Sequence, residues 1–417
     1  MANDGVAASC RASVAQIVSS IYNPCMIERT IEPRLREAAA HYPVVTVTGP
    51  RQSGKTTTCR SVFGQHRYVN LEAPDVRAFA LDDPRGFLGQ FEGGVILDEV
   101  QHAPDLLSYL QVLVDEEPIA GRFILTGSEH FALSERVSQS LAGRTAILHL
   151  LPPSWDELNR FENPPTALWD ALFMGAFPRI FDRGIPPRDW LSDYVATYVE
   201  RDVRQVLNIG QLSAFADFVR LAAGRTSAEL NLSDLGSDAG VSHNTAKAWL
   251  SVLETSYLGF RLPAYHANLR KRLVKAPKFH FVDSGLVCFL LGIEAPEQLV
   301  THPLRGAVFE SWVASEVYKA RVHRRLEPRL SHVRISRGPE VDLVVEAGSR
   351  IIATEVKSGA TAKSSFWRNV TTFADELAKL QHPPKVIRRI VYGGDVDQRR
   401  TDGELVSWRS VQSVSWE

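Results

Sequence analysis

A glycine-rich loop near the start of the chain follows an apolar run at residues 44–48 and leads into a helical stretch. Its glycines let the backbone bend around phosphates and turn several N–H groups inward, with a helix N-terminus behind them. In such a loop Lys55 would reach the β and γ phosphates of a nucleotide, and the Thr56 hydroxyl would hold Mg²⁺. The GxxxxGK[ST] spacing therefore predicts an ATP site formed by Gly49, Pro50, Arg51, Gln52, Ser53, Gly54, Lys55, Thr56 and Thr57.

A second apolar run, at residues 94–97, ends in two carboxylates, Asp98 and Glu99. This arrangement is suited to placing Asp98 in the shell of the metal and Glu99 beside the attacking water. An exposed acidic turn after a buried strand would read the same way. Because the phosphate loop precedes them, we interpret the two acids as the second half of the nucleotide site.

Two further polar features occur where nucleotide chemistry could use them. The apolar run 122–125 leads into Thr126 and Ser128, either of which would sense the γ phosphate or cap the next helix. Arg144 precedes the fifth apolar run. It would neutralise transition-state charge in its own or a neighbouring site, or form an ordinary surface ion pair. The sequence leaves these alternatives open.

Acidic residues recur near the C-terminus in two β-rich runs joined at Gly348-Ser349. A hairpin centred between these two residues opposes positions whose numbers sum to 697, which puts Asp342 across from Glu355. Because side chains alternate between faces along a strand, Lys357 shares the face of Glu355. Two directly opposed carboxylates need a compensating cation, and a divalent metal supplies one. Two alternatives require no metal. Lys357 could neutralise one carboxylate on a solvent-facing strand pair, or a register slip of one residue could separate the two acids.

Residues 232–250 have the spacing of two short helices joined by a glycine turn. Apolar positions would pack inward and leave a polar outer face on the second helix, where a recognition helix meets base edges. Two short strands at 258–265 and 278–282 would form a wing with a basic tip that suits phosphates. The pattern predicts DNA contact, or alternatively a rigid coupling unit between domains, at His243, Asn244, Lys247, Arg270, Lys271, Arg272 and Lys275.

The elements that position these residues alternate between strand and helix from residue 43 to 153, which indicates a parallel sheet built of βαβ units. Residues 154–225 show no strand pattern, and apolar residues recur three or four apart, so this segment is predicted to be helical. The fold class is thus an α/β P-loop domain followed by a helical segment, a winged helix-turn-helix and an α/β domain. The predicted units are a flexible extension and these four parts, at residues 1–25, 26–153, 154–225, 226–300 and 301–417.

Length and composition exclude several classes of protein. A chain of 417 residues fits more than one core. Four cysteines without CxxC spacing argue against a structural zinc site or a disulfide framework and fit a reducing cytosol. No apolar run reaches the roughly 18 residues of a membrane span, and the N-terminal stretch reads poorly as a signal peptide. The sequence predicts a cytoplasmic protein with no membrane partner.

Charge is balanced overall, with 47 basic and 48 acidic residues, but it is segregated along the chain. Residues 65–118 hold eleven acidic and three basic side chains, whereas residues 261–278 hold six basic and no acidic ones. Seven further basic residues against one acidic residue lie at 319–337. Local positive charge of this kind suggests contact with a polyanion, or else a solvated surface with its counter-charges elsewhere.

Several spaced motifs resemble a family of predicted bacterial and archaeal AAA+-type ATPases that carry a C-terminal domain of uncharacterised function. The similarity extends over residues 26–391, so Met26 is also a candidate start of the protein. It implies a P-loop core of the additional-strand class, a winged-helix segment and a C-terminal domain similar to PD-(D/E)xK nucleases. The runs that carry it are VVTVTGPRQSGKTT, RYVNLEAPDVRAFALDDPRGFL, GVILDEVQHAPDLL, RFILTGSEHFAL and SLAGR.

The C-terminal acids resemble the PD-(D/E)xK motif itself, although Val341 stands where the motif has proline. The resemblance implies that Asp342 and Glu355 bind Mg²⁺, that Lys357 orients or activates the attacking water, and that Glu310 supports them.

Taken together, the motifs predict a DNA-associated ATPase with a metal-dependent nuclease-like domain. ATP and Mg²⁺ are its expected cofactors and DNA its expected partner, with a homo-oligomer left open. The competing class is a signalling or assembly switch. In that class ATP occupancy changes domain packing, and the catalytically silent last domain binds a protein or nucleic acid.

Overall fold

A computed structural model describes residues 26–128, 140–197, 212–265, 276–334 and 340–417. These residues form an N-terminal parallel sheet, a helical region with one strand pair, and a C-terminal mixed sheet. Within them, every helix is too short or too polar to span a lipid bilayer.

Five strands make the N-terminal sheet: β1 (Val44–Thr48), β2 (Arg67–Asn70), β3 (Val95–Asp98), β4 (Phe123–Gly127) and β5 (Thr145–His149). They are parallel, in the order β2-β3-β4-β1-β5, which confirms the predicted parallel sheet. Strand β4 lies between β1, which leads into the phosphate loop, and β3, which ends at Asp98. The ends of β1 and β3 therefore open at the same edge of the sheet.

Helices cover both faces of this sheet, so the central strands are buried on both sides. Val95 and Leu97 pack in one apolar cluster, whereas Ile96 between them packs in the cluster on the other face. The helices are α1 (Glu32–His41), α2 (Lys55–Val62), α3 (Pro74–Asp82), α4 (Pro84–Gly89) and α5 (Leu106–Glu116).

The segment after β5 is helical, as its apolar spacing predicts. Tryptophan and phenylalanine side chains on successive short helices pack together; Phe177, for example, lies 4.5 Å from the ring centre of Trp190. The helices are α6 (Trp155–Leu158), α7 (Leu168–Met174), α8 (Pro178–Asp182), α9 (Pro187–Tyr194) and α10 (Leu212–Gly224).

Two helices joined by a turn at Gly240 follow, and then an antiparallel strand pair. Ser242 caps the second helix, because its Oγ accepts a hydrogen bond from the Thr245 N–H at 3.1 Å. Asn231 caps the first helix, because its side chain accepts hydrogen bonds from the N–H groups of Ser233 and Asp234. The elements are α11 (Leu232–Asp238), α12 (His243–Thr255), β6 (Gly259–Leu262), β7 (Lys278–Phe281), α13 (Ser284–Leu290) and α14 (Pro296–Thr301).

The C-terminal domain places helices against a six-stranded mixed sheet in the order β12-β13-β11-β10-β9-β8. Strands β8, β9 and β10 form an antiparallel meander, and β11 pairs parallel to β10 after the crossover helix α16. The elements are α15 (Arg305–Val322), β8 (Leu330–Arg334), β9 (Glu340–Ala347), β10 (Arg350–Lys357), α16 (Arg368–Ala378), β11 (Lys385–Tyr392), β12 (Gln398–Arg400) and β13 (Gly403–Ser407).

One apolar cluster runs across the predicted boundaries at residues 225 and 300. It joins Trp155 and Phe177 of the helical segment to Trp249 of α12 and to Phe309 and Trp408 of the C-terminal domain. The regions after residue 154 therefore share one apolar cluster, and the division into units at residues 225 and 300 stays a prediction.

Candidate functional site

The phosphate loop joins β1 to α2 and needs glycine where the chain turns. Gly49 and Gly54 have φ angles of 151° and 95°. A Cβ atom on Gly49 would lie 2.1 Å from the carbonyl oxygen of Leu150, so only glycine lets the loop pass this close to the end of β5. Gly54 directly precedes α2, which places the loop at a helix N-terminus with free N–H groups.

Lys55 is buried, and its ammonium lies on the loop's own backbone. Nζ donates to the carbonyl oxygens of Gly49 at 3.0 Å and Pro50 at 2.9 Å. Burial lowers the pKa of Lys55 to about 8, although the nearby carboxylates of Glu99 and Asp98 act against this shift. The cation is thus held by neutral acceptors and can exchange them for stronger, charged ones.

Asp98 is buried at the end of β3 and is surrounded by hydroxyl groups from three elements. Thr56 Oγ1 lies 2.9 Å from Asp98 Oδ2, and the Tyr68 hydroxyl donates to the same oxygen at 2.7 Å. Thr126 donates to the other carboxylate oxygen. Burial and the hydrogen bond to Asp98 raise the pKa of Tyr68 well above its usual value. A hydroxyl and a carboxylate in contact are suitable oxygen ligands for Mg²⁺.

Glu99 follows in the left-handed backbone region, with φ of 55°, which costs a non-glycine residue about 1–3 kcal/mol. Its carboxylate accepts hydrogen bonds from the Gln101 amide and from Ser128 Oγ at 3.2 Å. The Glu99 N–H points to Thr126 Oγ1 at 3.4 Å. The strained turn and the two side-chain donors fix the carboxylate beside the phosphate loop.

A polar cavity of about 490 Å³ opens at this edge of the sheet. The phosphate loop and Glu99 form one wall, and α8 with the residue after it forms the other. The residues that sequence reasoning missed are Arg179 and Arg183 on that second wall. Nothing in the run PRIFDR distinguishes them from surface arginines, because their role depends on where α8 packs. The lining is Arg51, Gln52, Gly54, Lys55, Thr56, Thr57, Glu72, Glu99, His102, Pro178, Arg179, Asp182 and Arg183.

Two predicted nucleotide contacts have other partners in the structure. Ser128 contacts Glu99 and Gln101. Arg144 forms a two-point ion pair with Asp115 at 2.5 and 2.8 Å and does not line the cavity of its own chain. The surface ion pair that the sequence left open for Arg144 is therefore present, and contact with a neighbouring subunit stays a prediction.

Arg29 connects the phosphate loop to the rest of the chain. Its guanidinium donates to the carbonyl oxygens of Ser53 at 2.9 Å and Leu151 at 2.8 Å, and it lies 3.2 Å from the carboxylate of Glu157. Burial would raise the pKa of Glu157, but Arg29 and His323 lower it. All of these side chains are almost fully buried. His323 follows α15, so the contacts extend from the loop to the C-terminal domain.

His243, Asn244 and Lys247 are exposed on α12, on the face predicted for them. The His243 ring lies 3.2 Å from Ser233 Oγ of α11, which ties the two helices together at that surface. The predicted basic tip, Arg270, Lys271, Arg272 and Lys275, lies outside the described residues.

The predicted register of the C-terminal hairpin is confirmed. Arg350 pairs with Ala347 and Thr354 with Leu343, so the paired numbers sum to 697. Asp342 and Glu355 are the next residues along the two strands, and the Asp342 carboxylate accepts a hydrogen bond from the Val356 N–H at 2.8 Å. Both carboxylates are buried beneath neighbouring elements rather than solvent-facing.

Two lysines approach these carboxylates. Lys357 Nζ lies 2.6 Å from Glu355 and 4.0 Å from Asp342. Lys278, from β7, is buried at 2.8 Å from Glu310, 3.6 Å from Glu340 and 4.0 Å from Asp342. The compensating positive charge that the hairpin requires is therefore present in lysine side chains, so repulsion alone does not demand a metal.

The acids of this cluster have raised pKa values. Burial, then repulsion from Asp342, raises the pKa of Glu310 to about 7 and that of Glu355 to about 7. Burial also raises the pKa of Asp342. Within the described residues no three Asp, Glu, His or Cys side chains converge as a metal-binding group. A metal on Glu310, Asp342 and Glu355 stays a prediction.

The parallel sheet, the phosphate loop and the acids after β3 define a P-loop ATPase domain. Residues 41–159 match the model of an AAA domain. Residues 165–297 and 305–411 match two domains of unknown function, DUF8612 and DUF4143.

Two curated relatives resemble the chain over most of its length. They are the uncharacterized protein Rv2008c of Mycobacterium tuberculosis and the uncharacterized protein Mb2031c of Mycobacterium bovis. Each is 31% identical over 378 residues, which cover 89% of this chain and 81% of the relative. The chain belongs to the same family as these proteins.

Solved structures are more distant. A Walker-type ATPase of Pyrococcus abyssi is 15% identical, with a TM-score of 0.45 over 64% of this chain and 96% of that one. A RuvB variant of Thermotoga maritima is 17% identical, with a TM-score of 0.29 over 59% and 95% of the two chains.

Proposed function

We propose that the chain binds Mg·ATP in the cavity between the phosphate loop and α8 and hydrolyses it. The position of Lys55 carries this proposal. Its buried ammonium rests on two neutral carbonyls at 2.9 and 3.0 Å, at the wall of a cavity that also contains Thr56 and Glu99. A triphosphate offers the ammonium charged oxygens in place of these carbonyls, and the exchange favours binding.

In this mechanism each side chain has one task. Lys55 moves from the carbonyls to the β and γ phosphates, while Thr56 and Asp98 hold Mg²⁺, which supplies charge neutralisation to the phosphate oxygens when bound. Glu99 orients the attacking water and accepts its proton, with Ser128 fixing the carboxylate. Arg179 of α8 and Arg183, the residue after this helix, contact the outer phosphate.

A small cavity of about 70 Å³ next to the loop, lined by apolar side chains and by Arg29 and Asp182, supports a site for the base. Met26, Ile27 and Phe161 line it, together with Thr57 and Thr58 of α2. A base stacked there would place the triphosphate along the phosphate loop. Arg29 also lines this cavity, so a bound base would lie beside the side chain that contacts Glu157.

Replacing Glu99 with Gln tests hydrolysis. Glu99→Gln should bind ATP as the parent does, measured by calorimetry, and release phosphate about 100-fold more slowly, since general-base contributions are about 10²–10⁴-fold. Glu72→Gln is the matched control, because Glu72 is an exposed acid of the same cavity. Undiminished phosphate release by Glu99→Gln would remove this residue from the mechanism.

We further propose that the α11–α12 unit binds DNA and that nucleotide state is coupled to that binding. The exposure of His243, Asn244 and Lys247 on one face of α12 supports this. Replacing Arg270, Lys271 and Arg272 with Ala should weaken DNA binding and flatten its salt dependence by about 0.9 in slope per lost phosphate contact. An unchanged slope would leave the unit as a coupler only.

For the C-terminal domain we propose a divalent metal on Asp342 and Glu355, with Glu310 in support and Lys357 beside the attacking water. The buried Glu355 Oε2 supports it, because this oxygen has no hydrogen-bond partner among the described residues. If the site cuts nucleic acid, Asp342→Ala, Glu355→Ala and Lys357→Ala should each abolish cleavage with Mn²⁺ and leave ATP hydrolysis nearly intact. Cleavage that survives these changes would come from elsewhere.

The alternative is a switch whose C-terminal domain is catalytically silent. Two observations favour it: lysines already neutralise the carboxylates, and buried contacts run from Ser53 through Arg29 and Glu157 toward His323. The two functions differ in one measurement. A DNA-associated ATPase should hydrolyse ATP faster when duplex or single-stranded DNA is added, whereas a protein-directed switch should not respond to DNA.

A further inference from the structure

We propose that Lys278 sets the metal affinity of the C-terminal carboxylate site. Its ammonium occupies the cation position among the carboxylates, and a divalent metal must displace it to bind. The inference rests on the proposed metal site at Asp342 and Glu355. Lys278 is not part of that domain's sheet; it is the first residue of β7, in the strand pair that follows α12.

The contacts of Lys278 are those of a bound cation. Its ammonium lies 2.8 Å from Glu310 Oε1, 3.6 Å from Glu340 Oε1 and 4.0 Å from Asp342 Oδ1. The side chains of Lys278, Asp342 and Glu310 are 4%, 10% and 17% exposed, so little water screens these three charges, whereas Glu340 is 46% exposed and interacts more weakly. Two of the three acids, Glu310 and Asp342, are the ones proposed to hold or support the metal. The same carboxylate charge therefore attracts either the lysine or the metal.

Lys357 differs from Lys278 in its position and exposure, so we do not assign it the role of the cation that a metal displaces. It contacts Glu355 at 2.6 Å, belongs to the same strand as that acid and is 35% exposed. Lys278 is instead fixed from outside the sheet, where its backbone pairs with Leu262 of β6 and bridges to Glu229. A shift of β7 relative to α15 would withdraw Lys278 from Glu310 and leave the acids free for a metal. The proposed site is thus shared between two regions of the chain.

The test measures Mn²⁺ binding by calorimetry on the full chain. Lys278→Met keeps the length of the side chain and removes its charge, and Lys385→Met is the control at the exposed start of β11. We expect Lys278→Met to bind Mn²⁺ at least tenfold more tightly than the parent, and Lys385→Met to match the parent. Adding Asp342→Asn to Lys278→Met should abolish the gain. Equal Mn²⁺ affinity in the parent and in Lys278→Met would overturn the inference.

These outcomes separate the inference from the function on which it rests. If the parent binds Mn²⁺ through Asp342 but Lys278→Met binds it no better, the metal site stands and only the role of Lys278 fails. If neither the parent nor Lys278→Met binds Mn²⁺, the metal site and the inference both fail. Lys278→Gln, which keeps an N–H donor for Glu310, provides a milder second variant.

A measurement on the unmodified chain avoids any question of folding. Buried and ion-paired, Lys278 should react slowly with an amine-labelling reagent, and saturating Mn²⁺ should speed its labelling several-fold, as read by mass spectrometry. Lys385 should label at one rate throughout. Slow labelling of Lys278 that stays unchanged when Mn²⁺ binds through Asp342 would show that metal and lysine coexist, which contradicts the proposal.

Discussion

The P-loop site and the C-terminal carboxylate site both set lysines beside acids at the end of a buried strand, but the lysines have different partners. Lys55 donates to two uncharged carbonyls, and burial lowers its pKa to about 8. Burial would also lower the pKa of Lys278, yet Glu310 and Asp342 raise it. The Lys55 ammonium therefore has only neutral hydrogen-bond acceptors, whereas carboxylates neutralise the Lys278 ammonium.

The two sites therefore differ in the charge of the ligand that each can bind without losing an ion pair. An anion that reaches Lys55 displaces only neutral hydrogen-bond acceptors, so the P-loop site is ready for phosphate. A cation that reaches Asp342 must compete with lysines already present. The first site is organised for binding, whereas the second is stable as it stands and needs a rearrangement before it can bind.

The largest expected effect is on ATP affinity, which should depend on Lys55 of the P-loop site and not on Lys357 of the C-terminal carboxylate site. Lys55→Met should weaken ATP binding about 100-fold, because hydrogen bonds to charged groups contribute about 1.5–3 kcal/mol. Lys357→Met should leave ATP affinity at the parent value. Calorimetry with a non-hydrolysable ATP analogue measures both. Similar losses in the two variants would mean that the sites are coupled and would break the comparison.

Stability should show the opposite ranking. Lys278→Met leaves buried carboxylates without their cation and should lower the free energy of unfolding by about 3 kcal/mol. Lys55→Met removes a buried charge whose two hydrogen-bond acceptors are neutral and whose burial outweighs the attraction of Glu99 and Asp98, so it should leave the free energy of unfolding unchanged or slightly raised. Urea denaturation of both, with Lys385→Met as reference, measures this. A larger loss for Lys55→Met than for Lys278→Met would reverse the assignment of roles.

A pH dependence should distinguish Lys55 further. Its folded pKa of about 8 lies below the ordinary 10.5, so between these values the unfolded chain binds more protons. The contribution of Lys55 to the unfolding free energy therefore rises with pH over that window. ATP needs the ammonium, so its affinity should fall as pH rises through about 8, with proton uptake on binding. Calorimetry in buffers of different ionisation enthalpy detects the uptake, and Lys55→Arg should abolish it.

The smallest effect concerns Tyr68, which donates to Asp98 at 2.7 Å while Thr56 and Thr126 contact the same carboxylate. Tyr68→Phe should raise the Mg²⁺ concentration for half-maximal ATP hydrolysis about threefold, because two of three hydroxyl contacts remain. Tyr109→Phe, at another exposed tyrosine, is the control. A change in ATP affinity with no change in Mg²⁺ requirement would exclude a positioning role for Tyr68.

Strands and hairpin register follow from the sequence because both depend on local spacing. The apolar runs at 44–48 and 94–97 lie within one residue of β1 and β3, and the turn at Gly348 sets the register that brings Asp342 and Glu355 near each other. The nucleotide site is local in the same way, since the loop and the acids after β3 sit at the ends of parallel strands.

The partners of these residues could not be predicted, because they come from distant parts of the chain. Lys278 precedes Asp342 by many residues, and only the packing of β7 against α15 brings it to the carboxylates. The two opposed carboxylates need a cation, but their spacing in the sequence cannot distinguish a metal from a lysine. Arg29 likewise gains its contacts, and Arg179 its place in the cavity wall, from tertiary packing.

The contacts of α15 bear on how the chain folds during synthesis. Leu151 N–H donates to His323, Trp155 N–H to Glu316 and Lys319 to the Pro153 carbonyl, across 172, 161 and 166 residues. The stretch that leaves the first domain therefore cannot satisfy its buried polar groups until α15 has been translated. Contacts of this range slow folding and leave the unfinished chain prone to aggregation. A nascent chain released before residue 323 should need a chaperone, even though its phosphate loop is complete.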